Sequence, residues 1–131
     1  MAAEDRTVLI VEDSENNAET LEIALSGIPR LSVLMAFSGA EALRILAAGT
    51  PAIDAIITDL NMPRMDGFEM IHRIRGDVRL KMTPIIVVSA DTHYTTAERL
   101  ELMGVEAFFP KPYSPAKVRR KLEQVLDATT K

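Results

Sequence analysis

The chain has 131 residues, of which 47% are hydrophobic, so it is long and apolar enough to form one domain with a proper core. It contains no cysteine, which excludes a disulfide scaffold, thiolate metal sites and cysteine catalysis and fits a reducing compartment. Its formal net charge is -4 and its basic residues form no large cluster, which argues against direct binding of nucleic acid.

The sequence shows neither a membrane span nor a targeting segment. No apolar run approaches the roughly 20 residues that a helix needs to cross a bilayer. The start of the chain, residues 1–6, is short and acidic, so we expect no signal peptide. These features favour a cytoplasmic protein that does not contact membranes.

Five short apolar runs rich in β-branched residues predict five buried strands. They occupy residues 7–11, 31–36, 53–58, 84–89 and 106–109. Apolar residues at helical spacing follow each run and predict five helices. Because strands and helices alternate along the chain, the sequence predicts an α/β fold with one parallel sheet covered by helices on both faces.

The predicted helices have recognisable first residues. Ser14 and Ser38 are suited to capping the first two helices, Gly67 begins the third, and Ser114 with Pro115 opens the fifth. Helical spacing also predicts the inner faces of the second and fourth helices, which we expect to consist of Ala40, Leu43, Leu46 and Ala47 and of Ala97, Leu100 and Met103, respectively.

Polar side chains follow the apolar runs at one edge of the predicted sheet. Glu12 and Asp13 follow the first strand, Asp59 the third, Ser89 ends the fourth, and Lys111 comes after the fifth. Open α/β sheets bind ligands outside the carboxyl ends of their strands, so we expect one shared cleft. Three acids in one cleft require a cation, and oxygen ligands without His or Cys favour Mg²⁺. A hydroxyl and a lysine beside a metal-bound carboxylate are suited to holding phosphoryl oxygens.

Each of these residues also has an ordinary alternative role when it is taken alone. Glu12 and Asp13 are suited to capping a helix, Asp59 to capping a loop, Ser89 to capping the next helix, and Lys111 to a solvated turn. The alternatives weaken for the set as a whole, because all five residues follow strands at the same edge of the sheet.

The same residues occur in the order that is typical of one protein family. The chain resembles the receiver domains of two-component response regulators, of the chemotaxis-type single-domain kind, over residues 7–126. The resemblance implies one receiver domain over residues 1–131 with a core at about 7–127, and the flavodoxin-like strand order 2-1-3-4-5. It is carried by Val11-Glu12-Asp13, Asp59-Leu60-Asn61-Met62-Pro63-Arg64-Met65-Asp66-Gly67, Ser89-Ala90 and Lys111-Pro112.

The resemblance implies a phosphoacceptor signalling domain rather than an enzyme, one that assists its own phosphorylation and dephosphorylation. Asp59 would accept a phosphoryl group from the phosphohistidine of a sensor histidine kinase or a histidine phosphotransfer protein. Asp13, Asp59 and the backbone carbonyl of Asn61 would bind Mg²⁺ directly, and Glu12 would bind it mostly through water.

The resemblance also implies how phosphorylation is read out. Ser89 and Lys111 would contact the phosphoryl oxygens, and Ser89 and Phe108 would form a switch. The position of Phe108 is often Tyr in the family, so the hydroxyl of that residue is missing here; the alternative is that Phe108 is a fixed core residue. The fourth helix, fifth strand and fifth helix would contact a downstream protein target, with Arg119 and Arg120 on that surface.

Three further expectations concern the loops. The Lys111–Pro112 bond is typically cis in the resembled family, so we expect it to be cis here. Pro110 lacks a backbone donor and is expected to shorten the fifth strand. Asn61 and Asp91 each lie two residues beyond a site residue and are expected to tune the lifetime of the aspartyl phosphate; the alternative is that Asp91 only caps the fourth helix.

Two other classes of protein remain as alternatives. A phosphatase or phosphotransferase of the haloacid-dehalogenase type would also use an aspartate nucleophile, but its general acid would fall at Asn61, which cannot protonate a leaving group. A flavin-binding module would need a phosphate cradle rich in Ser, Thr and Gly and an aromatic ring partner, which the loops lack. His72 and His93 have no metal-ligand spacing and are expected to be solvated.

Overall fold

The computed structural model describes residues 5–128, which form five strands and five helices in alternation. Residues 1–4, which belong to the acidic start on which the signal-peptide prediction rests, lie outside the described residues. The strands are β1 (Arg6–Val11), β2 (Leu31–Ala36), β3 (Ala55–Thr58), β4 (Ile85–Ser89) and β5 (Ala107–Pro110). The helices are α1 (Glu15–Leu25), α2 (Gly39–Ala48), α3 (Gly67–Arg75), α4 (Thr96–Leu102) and α5 (Pro115–Ala128).

The strands form one parallel sheet in the order β2-β1-β3-β4-β5. The central strands β3 and β4 are buried along their whole length, and β1 is buried along most of it. Helices cover both faces of these strands and exclude water from their side chains, which explains their continuous apolar sequences. The fold class and strand order predicted from the sequence are confirmed.

Side chains that alternate along the strands form two separate cores. Leu9 and Val11 of β1 face the core covered by α2, α3 and α4, whereas Val8 and Ile10 face the core covered by α1 and α5. Within residues 5–128, no helix is long and apolar enough to cross a membrane. With both faces of the sheet covered, the loops at the carboxyl ends of the strands are left to carry the polar groups.

Side-chain caps fix where the helices begin. The Ser14 hydroxyl accepts the Asn17 N–H at 3.3 Å, and the Ser38 hydroxyl accepts the Glu41 N–H at 3.0 Å. Both caps are the predicted ones. Asp66 caps α3 in the same manner, so the third helix begins at the glycine that follows it.

The predicted inner faces of α2 and α4 are wrong in part. Ala40, Ala47 and Ala97 are exposed. Alanine offers so little apolar area that either face of a helix tolerates it, and larger neighbours decide the rotation of the helix. The buried residues are Gly39, Ala42 and Leu46 in α2 and Thr96 and Leu100 in α4.

The expectation that Pro110 shortens the fifth strand is also wrong. β5 continues through Pro110, which pairs with Ser89 of β4. The Lys111 N–H donates to the Ser89 carbonyl at 2.8 Å, and donors alternate between the two sides of a strand, so the nitrogen of Pro110 faces away from β4. β5 lies at the sheet edge, where proline is tolerated. The Lys111–Pro112 bond is cis, as predicted.

Candidate functional site

Three polar side chains meet beyond the ends of β1, β3 and β5. Glu12 directly follows β1, Asp59 follows β3, and Lys111 follows β5. The Asp59 N–H donates to the Val11 carbonyl at 3.0 Å, and the Lys111 N–H donates to the Ser89 carbonyl. These bonds continue the ladder of the sheet past the strand ends, so the sheet itself sets the direction of each side chain.

The Asp59 carboxylate is buried and has a donor on each oxygen. Asp59 is only 5% exposed. Oδ1 accepts the backbone N–H groups of Leu60 at 2.6 Å and Asn61 at 3.1 Å, and Oδ2 accepts Lys111 Nζ at 2.8 Å. Hydrogen bonds to an ionised acceptor are about twice as strong as neutral ones, so these contacts hold the carboxylate in place.

Gly67 brings the start of α3 against the same strand end. A Cβ atom at this position would lie 2.5 Å from the Asp59 carbonyl oxygen and 2.7 Å from Leu60 Cα. The Gly67 N–H donates to the Leu60 carbonyl at 2.9 Å. Only glycine allows this approach, so the loop after Asp59 returns directly to the backbone of the site.

Lys111 joins the two buried acids. Its Nζ lies 2.8 Å from Asp59 Oδ2 and 3.1 Å from Glu12 Oε1. Burial alone would lower the pKa of Lys111, but its hydrogen bonds to Asp59 and Glu12 outweigh burial and raise that pKa. The ammonium group is therefore charged at neutral pH.

This environment shifts the pKa values of Glu12 and Asp59 in opposite directions. Burial raises the pKa of Glu12 to about 7, although the Ser14 N–H and Lys111 oppose the rise. Burial also acts on Asp59, but hydrogen bonds from Lys111 and the Asn61 N–H outweigh it and hold the pKa of Asp59 below its ordinary value. Asp59 is thus ionised at neutral pH, whereas Glu12 is only partly ionised there.

The donor atoms at this edge fit a magnesium ion, although residues 5–128 contain no preformed cage. In that range, no three His, Cys, Asp or Glu side chains are arranged to enclose an ion. Asp13 is exposed, and Lys111 bridges Glu12 and Asp59. Carboxylate oxygens suit a divalent cation such as Mg²⁺, which keeps several waters and takes only one or two carboxylates.

Ser89 is fully buried at the end of β4. Its hydroxyl accepts the Asp91 N–H at 3.2 Å and lies 3.5 Å from Asn61 Nδ2. The structure thus brings Ser89, Asn61 and Asp91 together; that Asn61 and Asp91 tune the phosphoryl lifetime stays a prediction. A surface cleft of about 460 Å³ opens beside them, lined by Leu60, Asn61, Met62, Asp66, Phe68, Asp91 and Arg99.

The Asp91 carboxylate also serves the start of α4, which is the alternative role considered for it. Its Oδ1 accepts the His93 N–H at 2.8 Å and the Thr96 hydroxyl at 2.7 Å. The His93 N–H is the main cause that holds the pKa of Asp91 below its ordinary value. His72 and His93 are both exposed, as predicted.

The predicted output residues have different surroundings. Phe108 is half-buried and packs against the core beneath α4, whereas Phe109 packs against the opposite core. The Arg119 guanidinium lies near Gly27, since its Nη1 would be 2.9 Å from a Cβ atom there. Arg119 therefore extends over the end of α1, and Arg120 is exposed on α5.

Residues 8–123 match the model of one family, described as the response regulator receiver domain. The chain belongs to this family. Among the three classes of protein considered from the sequence, membership favours the receiver over the phosphatase and the flavin module. Receivers generally bind a divalent metal in an acidic pocket, and the buried acids of this receiver lie where that pocket is expected. Membership also implies a kinase partner and a downstream target.

Similar receivers occur in bacteria and plants. The chemotaxis protein CheY1 of Helicobacter pylori is 33% identical over 119 residues, which cover 91% of this chain and 95% of that protein. The two-component response regulator ORR5 of Oryza sativa subsp. japonica is 35% identical over 122 residues, covering 91% and 87%. Among solved structures, a response regulator receiver protein from Pseudomonas putida matches with a TM-score of 0.84 and 31% identity, covering 94% of this chain and 99% of that one.

The structural roles of two residues, Arg75 and Thr96, are not evident from the sequence. Arg75, at the end of α3, looks like a solvated helix-terminal cation, yet it is partly buried. Thr96 looks like a surface helix residue, yet it is 2% exposed. Arg75 donates hydrogen bonds of 2.7 to 3.0 Å to the carbonyls of Lys81, Thr83, Met103 and Gly104 and so ties the end of α3 to the end of α4.

Proposed function

We propose that this receiver is the phosphoacceptor of a two-component phosphorelay and that Asp59 accepts the phosphoryl group. The observation that supports this assignment is the buried Asp59 carboxylate, ionised and in contact with the Lys111 ammonium. An Asp59 oxygen forms a bond to phosphorus while the bond from phosphorus to the donor's histidine nitrogen breaks. The electron pair of that bond returns to the imidazole, which takes up a proton.

Lys111 and Ser89 hold the transferred group. Lys111 Nζ already contacts Asp59 Oδ2, so it is placed to offset the charge that develops on the phosphoryl oxygens. The Ser89 hydroxyl gains a charge-assisted hydrogen bond when it turns towards those oxygens. Both side chains therefore stabilise the negative charge of the phosphoryl group.

Mg²⁺ is the cofactor that this set of donors favours. Asp13, Asp59 and the Asn61 carbonyl would hold it directly, and Glu12 would hold it through water. When bound, the ion supplies further positive charge against the phosphoryl oxygens. The protein is not an enzyme with a separate substrate, because the group that reacts is its own aspartate; it assists its own Mg²⁺-dependent phosphorylation and dephosphorylation.

The phosphoryl donor is a sensor histidine kinase or a histidine phosphotransfer protein. The downstream target is a protein that binds the output face, which we define as the surface of α4, β5 and α5. A chain with a net charge of -4 fits contact with proteins rather than with nucleic acid or membranes. We place the protein in the cytoplasm.

Ser89 and Phe108 form the switch that connects the site to the output face. Movement of Ser89 vacates space that Phe108, on the neighbouring strand, fills. Phe108 has no hydroxyl to anchor it, so its two rotamers are close in energy and the unphosphorylated protein samples the active one. In NMR spectra, beryllofluoride should shift amides from Ala90 to Phe109; shifts confined to the surroundings of Asp59 would show that the receiver signals through another face.

Mass spectrometry after incubation with acetyl phosphate and Mg²⁺ tests the assignment of Asp59. The wild type should gain one phosphoryl group and Asp59→Asn should gain none. Asp66→Asn is a matched control, because Asp66 is exposed and an asparagine also caps a helix. A full phosphoryl mass on Asp59→Asn would contradict the proposal.

A further inference from the structure

A short chain of hydrogen bonds runs from Ser89 to the first turn of α4. The Ser89 hydroxyl accepts the Asp91 N–H at 3.2 Å. The Asp91 carboxylate in turn accepts the Thr96 hydroxyl at 2.7 Å. The backbone N–H and the side chain of Asp91 thus join Ser89, at the buried end of β4, to the buried hydroxyl of Thr96 in α4.

Thr96 has no other evident reason to present a hydroxyl in the interior. It is 2% exposed, and a buried hydroxyl without a partner carries a large desolvation cost. The preceding residue, Thr95, stands at the N-cap of α4 but makes no side-chain cap hydrogen bond. The contact with Asp91 is therefore a side-chain hydrogen bond that joins the start of this seven-residue helix to the loop after β4.

We infer that Thr96 is a positioning residue for Ser89 and that the Asp91–Thr96 pair transmits the movement of Ser89 to α4; this rests on the proposed phosphoacceptor function. When Ser89 turns towards the phosphoryl group, its hydroxyl leaves the Asp91 N–H. The released loop then changes the position of the Asp91 carboxylate, and α4 follows through Thr96. Because coupling between sites is reciprocal, a partner that binds α4 also changes how Ser89 meets the phosphoryl group.

This role differs from the orientation of attacking water by Asp91. Asp91→Asn keeps an oxygen acceptor for Thr96 but removes the carboxylate charge. The variant should therefore keep the coupling to α4 even where its rate of dephosphorylation changes. Asp91→Ala removes the acceptor as well as the charge. This variant should lose the coupling to α4 and also show a changed rate of dephosphorylation.

NMR amide shifts induced by beryllofluoride and Mg²⁺ test the link in four proteins. Thr96→Val removes the hydroxyl and keeps the β-branched shape, whereas Thr96→Ser keeps the hydroxyl and loses the methyl group. Thr92→Val is a control at an exposed position of the same loop. Shifts around Asp59 should persist in every variant. Shifts in α4 should fall by at least half in Thr96→Val, and should remain in Thr96→Ser, in Thr92→Val and in the wild type. Thermal unfolding of the unactivated proteins shows whether each variant is folded.

The possible failures are distinguishable. Full α4 shifts in a folded Thr96→Val would overturn the inference while leaving the phosphoacceptor assignment intact. Loss of the Asp59 shifts in the wild type would overturn the assignment itself, and the inference with it. A Thr96→Ser variant that resembles Thr96→Val would show that packing, rather than the hydroxyl, carries the effect, which also overturns the inference.

Discussion

Replacing Gly67 by alanine should damage both the stability and the chemistry of the receiver. The new Cβ would lie 2.5 Å from the Asp59 carbonyl oxygen and 2.7 Å from Leu60 Cα, both backbone atoms. Relief to ordinary contact distances requires a shift of about 1 Å. Overpacking of this kind costs about 1–3 kcal/mol, and we expect the upper end because neither atom belongs to a flexible side chain.

The higher helix propensity of alanine returns at most about 1 kcal/mol, so the net loss in the free energy of unfolding should be about 2 kcal/mol. For a domain of this size, that corresponds to a fall of about 6–8 °C in the melting temperature. Displacing the backbone of Asp59 by about 1 Å should also slow phosphorylation by acetyl phosphate, by up to about 100-fold.

Urea unfolding followed by circular dichroism, together with phosphorylation rates, measures the two effects of Gly67→Ala. Gly76→Ala is the matched control, because Gly76 has a φ of -85° and a Cβ there would meet its nearest neighbour at 3.5 Å. The control should change the free energy of unfolding by less than about 0.5 kcal/mol. Unchanged stability and an unchanged phosphorylation rate in Gly67→Ala would refute the steric argument.

Arg75→Met should lower the free energy of unfolding by about 2 kcal/mol, because hydrogen bonds from a charged donor contribute roughly 1.5–3 kcal/mol each and the four freed carbonyls regain most of the total from water. Arg79→Met, which removes only a 3.5 Å contact, should stay within about 0.5 kcal/mol of the wild type in the same urea experiment. Asp13→Ala should abolish the NMR shifts that Mg²⁺ induces around Asp59, and undiminished shifts would remove Asp13 from the metal site. Asp91→Ala should slow the loss of the phosphoryl group, since it removes a carboxylate suited to orienting water; equal rates at equal stability would leave Asp91 only its role at the start of α4.

Much of the architecture can be predicted from the sequence because it depends on local and strongly patterned features. The fully buried strands are continuous apolar runs, and each of them ends abruptly at a polar residue. Once the strands are known to be parallel, Glu12, Asp59 and Lys111 must approach one another, and the structure shows Lys111 bridging the two acids.

What could not be predicted depends on contacts between distant segments. Alanine carries too little apolar area to fix the rotation of α2, so helical spacing alone predicts the wrong face for Ala40. The partners of Arg75 lie 6 to 29 residues away and are backbone carbonyls, which have no sequence signal. The burial of Thr96 becomes intelligible only when the Asp91 carboxylate is seen next to it.

Because the nitrogen of Pro110 faces the open side of β5, the sheet edge lacks a backbone donor at that position. An extended peptide that added itself to this edge would leave one of its carbonyls without a partner, and β5 offers only four residues for pairing. Strand addition is a common way for peptides to bind sheets and for sheets to aggregate. At this edge, strand addition is therefore disfavoured, whereas a partner that engages the side chains of α4 and α5 does not need the missing donor.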